Sequence, residues 1–374
     1  MRRIVEKMGR VSELLEEGTR QGVYPGAVLL VARGDEMVLF KAVGHCSLSP
    51  EMAPMRKDTI FDLASLTKPL ATTLGIMKLV DQRCLNLDEP LTNLLPLEFP
   101  GDKKAMTPRL LLCHCSGLAD WEPFYLELSK YRPKDRKKTL RDWIIERPLA
   151  YPTGGGCLYS DLGFMVLEWV IEEAIRMPMH LFLLRYFYEP LSLKRTSLGG
   201  VALLNRFERL QFAATEDCPW RKKILRGEVH DENSFAVGGY SGHAGLFGTA
   251  GDVYILAQML GAHFRGDQQD YFKPQTVRTF FKQQDIVNGS SWALGWDTPS
   301  PGNSSSGNHL SRNSVGHLGF TGTSIWMDLD QDIIIIFLTN RVHPTRDNEK
   351  IKAFRPRLHD VIMEELGVVD GKSA

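Results

Sequence analysis

Phe61-Asp62-Leu63-Ala64-Ser65-Leu66-Thr67-Lys68-Pro69 is the stretch on which the reading of this chain turns. Ser65 and Lys68 form the only Ser-x-x-Lys pair in the sequence, and an apolar, helix-compatible run follows over residues 70–80. Side chains three apart on a helix share a face and touch. A desolvated lysine can then take the proton of a serine hydroxyl, which makes the serine a nucleophile. The same residues also suit an N-capping serine followed by a solvated lysine. The choice depends on whether the chain supplies the partners a nucleophile needs: a group that manages the leaving-group proton, and donors for an oxyanion.

Two strand pairs bracket the chain. Residues 26–32 and 37–43 are apolar runs flanking Arg33-Gly34-Asp35-Glu36, the pattern of a β-hairpin. Near the other end, residues 323–327 and 333–339 flank the acidic turn Asp328-Leu329-Asp330-Gln331-Asp332. An amphipathic helix is expected at the N-terminus and another over 347–366. Strands at both ends with helical periods between them predict an α+β fold: one antiparallel β-sheet flanked by the N- and C-terminal helices, with an inserted all-helical domain. The expected division is 1–68 with 231–374 as a discontinuous sheet domain, and 69–230 as a mainly helical insert. Helical periods fall at 70–80, 109–113, 162–175 and 180–188, punctuated at Pro96, Pro100-Gly101 and Thr153-Gly154-Gly155-Gly156. The polar run 298–308 predicts a surface loop. The basic stretch from Lys130 through Pro133 to Lys138 predicts a solvated loop.

Composition narrows the function. A chain of 374 residues can bury a large core, and 43% hydrophobic with 24% charged residues excludes a disordered or fibrous protein. The 45 basic and 45 acidic side chains cancel, so no overall field recruits nucleic acid or a membrane surface. The longest apolar run, Ile333-Ile334-Ile335-Ile336-Phe337-Leu338, is too short to cross a bilayer. No apolar secretory stretch follows the basic N-terminus, so a cytoplasmic location is expected, although a mature chain with its signal removed reads the same. Six cysteines without paired zinc spacing are expected as free thiols. No P-loop or dinucleotide fingerprint occurs, and no cofactor or metal is expected. A metal hydrolase built from His230-Asp231-Glu232, His243 and His317 lacks the usual ligand spacing. A Cys-His hydrolase at Cys113-His114-Cys115 would need adjacent side chains to face one another.

Partners for Ser65 are present. Tyr159-Ser160-Asp161 follows the glycine-rich loop and opens an apolar helical run, which puts a phenol at a loop-to-helix corner. His317-Leu318-Gly319-Phe320 runs into the last hairpin. Gly319 on a strand edge lets a substrate backbone approach, and the Phe320 and Ser65 N–H groups together would form an oxyanion hole.

Ser-x-x-Lys, then Tyr-x-Asn about ninety residues on, then Lys-Thr-Gly before the penultimate strand is the motif order of serine β-lactamases and penicillin-binding proteins. The chain resembles that family, in its class C β-lactamase branch with related esterases and D-amino peptidases. Leu85-Asn86-Leu87-Asp88-Glu89-Pro90, Leu110-Leu111-Leu112-Cys113-His114-Cys115-Ser116-Gly117-Leu118 and Gly245-Leu246-Phe247-Gly248-Thr249-Ala250-Gly251-Asp252-Val253 extend the resemblance. It implies that Ser65 is acylated, that Lys68 accepts or steers its proton, and that Tyr159 shuttles protons. His243, in Gly242-His243-Ala244-Gly245, falls where the family lines its cleft.

Two departures shape the expected activity. Asp161 replaces the family asparagine, and an ionised carboxylate cannot donate to an acyl-amide carbonyl. His317 and Leu318 replace lysine and threonine, so a fixed charge for a substrate carboxylate becomes a titratable ring. The resemblance therefore implies a serine hydrolase of esterase or amidase type with weak or no β-lactamase activity, acting on a small-molecule ester, amide or peptide. The alternatives are a cell-wall recycling amidase or peptidase, a true class C-like β-lactamase, and a non-catalytic sensor or scaffold, which would be expected to lose Ser65, Lys68 or Tyr159. Trp292, Trp296, Tyr240, Phe247 and Phe320 are placed near the mouth of the acyl pocket. Oligomeric state is left open.

Overall fold

The structure, a computed structural model, describes residues 8–199, 208–302 and 304–368. The basic start of the N-terminal segment, residues 1–7, lies outside them, and so does Asn303 of the polar run.

Among the described residues the strands are β1 (Gly26–Arg33), β2 (Glu36–Ser47), β3 (Ala53–Pro54), β4 (Phe61–Asp62), β5 (Ser197–Leu198), β6 (Ala214–Cys218), β7 (Lys223–Arg226), β8 (Leu246–Gly248), β9 (Ser314–Leu318), β10 (Ser324–Asp328) and β11 (Ile333–Thr339). The two hairpins meet as expected. β1 pairs antiparallel with β11, Ala27 opposite Thr339 and Arg33 opposite Ile333, giving a six-stranded sheet in the order β3-β2-β1-β11-β10-β9. Because side chains alternate across a strand, Leu29, Val31, Ile335 and Phe337 face one way, into a cluster with Leu15 of helix Gly9–Arg20 and Leu358 of helix Ile351–Glu365. Val28, Leu30, Ile334 and Ile336 face the other way, into the large core shared with helix Ala250–Arg265 and the helical body. A sheet covered on both faces needs apolar residues at every position, which explains the unbroken isoleucine run of β11.

The α+β architecture forms, but the central segment is not all-helical. β5 joins β4 and β8 in a three-stranded sheet, and β6 and β7 form a separate hairpin. Short strands of two to five residues carry too little periodicity to stand out in sequence. The expected helical periods appear as helices Leu74–Asp81, Pro108–Leu112, Asp161–Ile175 and Met179–Leu183. The basic stretch is a correction: it opens helix Pro133–Glu146, with Pro133 at the first helical position, where a missing N–H costs nothing. The polar run is irregular and reaches the surface at Pro301, Gly302 and Asn308, but Ser304 and Ser306 are buried. Ser306 is fully buried, and Ser305 O receives a hydrogen bond from His359 Nδ1 at 3.1 Å.

Candidate active site

Ser65 lies in the 3₁₀ turn Ala64–Leu66, which runs into a π-helical turn, Lys68–Thr73. Ala64, just before it, has φ +47°. That left-handed conformation costs a residue with a Cβ roughly 1–2 kcal/mol and persists only where surroundings enforce it. Here they do. The Asp62 carboxylate accepts from Ala64 N–H at 2.9 Å and from His230 N–H at 2.6 Å. Thr321 Oγ1 donates to Asp62 O at 2.8 Å, and Thr323 Oγ1 to Leu63 O at 3.0 Å. The Ser65 turn is thereby pinned to the corner between β9 and β10. Gly319 has its reason in the same place: a Cβ there would lie 2.6 Å from Leu63 O. The sequence expectation of room for a substrate is replaced by the closeness of two backbone segments.

Lys68 is completely buried. Its Nζ donates to Asp161 Oδ1 at 2.6 Å, to Ser65 Oγ at 3.2 Å and to His243 O at 3.4 Å. Asp161 is the first residue of helix Asp161–Ile175, capped by Ser160 Oγ on Gly163 N–H at 3.1 Å. Burial works against the lysine charge, but Asp161 and Tyr159 outweigh it and raise the Lys68 pKa. Tyr159 is 36% exposed at the cleft, with Lys68 Nζ 4.7 Å from its ring centroid and its hydroxyl facing Lys68 and Ser65. Burial of that hydroxyl raises its pKa, and the ammonium of Lys68 offsets part of the rise. At neutral pH the resting pair is therefore an ammonium beside a phenol.

Around this pair stands an aromatic cluster that includes His114, which the sequence reading weighs only within a Cys-His hydrolase. The His114 ring lies 4.6 Å from Tyr159 and 4.4 Å from Trp292, and its Nδ1 accepts from Ser160 N–H at 3.0 Å. That contact fixes the proton on Nε2. Burial, with Lys68 adding to it, holds the ring neutral. His317 is the opposite tautomer: Nδ1–H donates to Leu318 O at 2.8 Å, leaving a lone pair on Nε2. Burial, then Lys68, pushes its pKa down to about 3. His317 thus presents a neutral acceptor where a family lysine would present a cation, 6.0 Å from Tyr159 between ring centroids.

Phe320, 49% exposed, is at the mouth; its carbonyl is gripped by Arg341 Nη2 at 2.6 Å and Nε at 2.9 Å. Its N–H makes no bond among the described residues. Ser65 N–H, in the first turn of a helix, has no intrahelical acceptor. Of the aromatics expected at the mouth, Trp292 and Phe320 are there. Trp296, Phe247 and Tyr240 pack in the core, which sequence cannot separate from a cleft because both are apolar.

His243 lies behind the lysine. Its Nε2 binds Asp231 Oδ1 at 2.9 Å, and burial, though opposing its charge, is outweighed by Asp231 and Asp161, which raise its pKa. Asp161, Asp231 and His243 bring ligand-type atoms within 4.8 Å of one another. Both carboxylates already have partners, Lys68 on Asp161 and His243 with Ser234 N–H on Asp231, so protein groups supply the positive charge. His230, expected in the metal alternative, is instead bound to Glu216 at 3.1 Å.

Comparison with known proteins gives the family. The family model described as Beta-lactamase matches residues 11–357. The chain is 33% identical to the N-acetylmuramyl-L-alanine amidase of Bacillus subtilis, over 92% of this chain and 83% of that protein. It is 31% identical to a putative D-alanyl-D-alanine carboxypeptidase of Escherichia coli K12, over 92% and 85%. Among solved structures, the hydrolase EstCE1 with promiscuous acyltransferase activity superposes with TM-score 0.72 at 20% identity, covering 94% of this chain and 98% of its own. The octameric penicillin-binding protein homologue from Pyrococcus abyssi does so with TM-score 0.72 at 18% identity, covering 97% and 78%. With the motif order, the Ser65–Lys68–Tyr159 cluster and a family match over nearly the whole length, the chain belongs to the beta-lactamase family and is a serine hydrolase.

Proposed function

We propose that the protein hydrolyses amide bonds of small cell-wall-type peptides, and simple esters more readily, through an acyl-enzyme on Ser65. The observation that carries this reading is the contact of Lys68 Nζ with both Ser65 Oγ and Asp161, with Tyr159 alongside. In the first step the substrate carbonyl sits between the Ser65 and Phe320 N–H groups. Ser65 Oγ attacks, and its proton passes to the Lys68–Tyr159 pair, which has first given one proton to solvent. Because the two groups interact strongly, that proton belongs to the pair rather than to one residue. The Tyr159 hydroxyl then protonates the leaving amine or alkoxide, and the same group takes a proton from the water that releases the acid.

Asp161 holds Lys68 and so is not offered to the substrate. Neutral His317 gives no cation for a carboxylate. Both features work against β-lactams, and they leave the amide and ester readings. An amide is placed ahead of an ester as the native substrate, esters being the bond more readily cleaved, because the muramyl-alanine amidase likeness runs at 33% identity through 92% of the chain, whereas the EstCE1 likeness is one of fold. The test is a substrate panel of an N-acetylmuramyl peptide, a D-alanyl-D-alanine peptide, short-chain p-nitrophenyl esters and nitrocefin. Turnover of the muramyl peptide and the esters well above nitrocefin is expected. Nitrocefin as the best substrate would refute the reading of Asp161 and His317.

A further inference from the structure

The proposed reaction uses none of the cysteines, yet three of them gather beside Tyr159. The segment Cys113-His114-Cys115 is laced to the glycine-rich loop: Gly154 N–H donates to Cys115 O, and Leu158 N–H to His114 O, each at 2.9 Å. This lacing brings the side chains of Cys115 and Cys157 together. Cys115 Sγ lies 3.2 Å and Cys157 Sγ 3.5 Å from one carbonyl, that of Cys113. This shared carbonyl brings the two sulfurs into one neighbourhood, and both are free thiols. Cys157 is half-buried, and the Ser290 hydroxyl reaches its sulfur at 3.6 Å.

We propose that Cys157 and Cys115 form an oxidation site for hydroperoxides, closing to a disulfide that displaces Tyr159 from Ser65. The Cys157 thiolate attacks the terminal oxygen of the hydroperoxide. The O–O bond breaks, an alcohol leaves with a proton from solvent, and Cys157 becomes a sulfenic acid. Cys115 sulfur then attacks the Cys157 sulfur, an S–S bond forms, and the displaced hydroxide takes the Cys115 proton to leave as water. Two thiols lose two electrons, and one hydroperoxide is reduced to alcohol and water.

The contacts assign the order of attack. The neighbouring Cys115 thiol, then the Ser290 hydroxyl against an opposing burial, draws the Cys157 thiol down to about 6, while the same proximity pushes Cys115 up. Cys157 is therefore the attacking thiolate and Cys115 the resolving thiol. Buried Cys113, pushed up to about 12 by its surroundings, stays a thiol.

The effect on activity follows from position. A disulfide draws the sulfurs to about 2.05 Å, closer than two thiols that share a carbonyl. Cys157 precedes Tyr159 by two residues, and Cys115 follows His114, whose ring packs on that tyrosine and whose Nδ1 holds Ser160 N–H. Contraction therefore moves both supports of the phenol. The loss of activity rests on the proton-shuttle role proposed for Tyr159; the cysteine linkage does not.

The test treats reduced full-length protein with hydrogen peroxide, maps peptides under non-reducing conditions, and follows p-nitrophenyl ester hydrolysis in parallel. A Cys115–Cys157 linked peptide is expected, with a fall in rate of about 10²-fold that dithiothreitol reverses. Cys157→Ser and Cys115→Ser should keep the untreated rate and lose the response. Oxidation confined to exposed Cys84, or no linked peptide, overturns the site. A linked peptide with an unchanged rate overturns the displacement of Tyr159 while leaving the linkage standing. A rate that still falls in both serine variants overturns the assignment of the response to this pair.

Discussion

Lys68 and Lys137 are both pressed against carboxylates, and they do opposite things. Lys137 Nζ lies 2.5 Å from Glu168 and 3.0 Å from Glu172, and Arg141 joins it on Glu172. Glu168 in turn accepts from Ser241 Oγ at 2.9 Å and Gly242 N–H at 3.1 Å. These contacts tie helix Pro133–Glu146 to helix Asp161–Ile175 and to the 241–243 loop. Met179 N–H joins on Glu172 at 3.1 Å, and Lys137 Nζ also lies 4.7 Å from the centre of the Tyr240 ring. Lys68 meets a single carboxylate, and its remaining contacts are His243 O and two groups that can exchange protons, Ser65 and Tyr159. Both lysines have raised pKa values. A paired, shifted ammonium, even one beside a phenol as Lys137 is beside Tyr240, therefore does not by itself mark a catalytic centre; a serine hydroxyl within its hydrogen-bond reach does. The two networks also meet, since the Glu168 contacts hold the loop whose His243 carbonyl receives Lys68.

The sharpest way to separate the two lysines is to remove each. Lys68→Met should lower ester turnover by about 10³-fold, the range for loss of a positioned proton-transfer group, with far-UV circular dichroism unchanged. A loss below tenfold would place Lys68 with Lys137 as a structural ion.

Asp161→Asn tests what the carboxylate does. Burial opposes the Lys68 charge and Asp161 sustains it, so removing the negative charge lowers the lysine pKa. The pair must shed one proton before Ser65 can lose its own, so kcat/KM should rise along an alkaline limb in the wild type. In Asp161→Asn that limb should move to lower pH by about one unit or more, the scale of a neighbouring opposite charge. An unmoved limb, or one moved to higher pH, would contradict the role given to Asp161.

The smallest effect on rate belongs to Lys137→Met. It leaves Glu168 buried without its cation, which should cost about 3 kcal/mol in denaturant unfolding, the low end for a broken buried pair, because Lys137 keeps 26% of its side-chain surface. Turnover per folded molecule should stay within about twofold of wild type, as expected away from the reacting groups. A large fall in kcat without loss of stability would erase the contrast between the two sites.

This contrast also separates what sequence could and could not reveal. Ser65, Lys68 and Tyr159 were legible because a nucleophile and its proton carriers must be particular residue types, and their order along the chain is itself a signal. The sheet was legible because each hairpin is local and apolar. Lys137 was not, because its surroundings come from a helix about thirty residues away, and a basic stretch with a proline looks solvated until Pro133 is seen at a helix start. The place of His114 beside Tyr159 was hidden for the same reason: a histidine between two cysteines, weighed only as a Cys-His pair, gains this meaning only when the glycine-rich loop folds back onto it. Gly319 was found, but for another cause. A strand glycine can serve a ligand or a neighbouring backbone, and only the position of Leu63 O distinguishes them. Asp62, Thr321 and Thr323, which hold Ala64 in its left-handed turn, are ordinary polar residues whose convergence is purely tertiary.

The central claim is that Ser65, and no other residue, forms the covalent bond. Labelling the protein with a fluorophosphonate and mapping the modified peptide by mass spectrometry tests it directly. The adduct should fall on Ser65 in the wild type and vanish in Ser65→Ala. An adduct on another residue, or labelling that persists in Ser65→Ala, would contradict it.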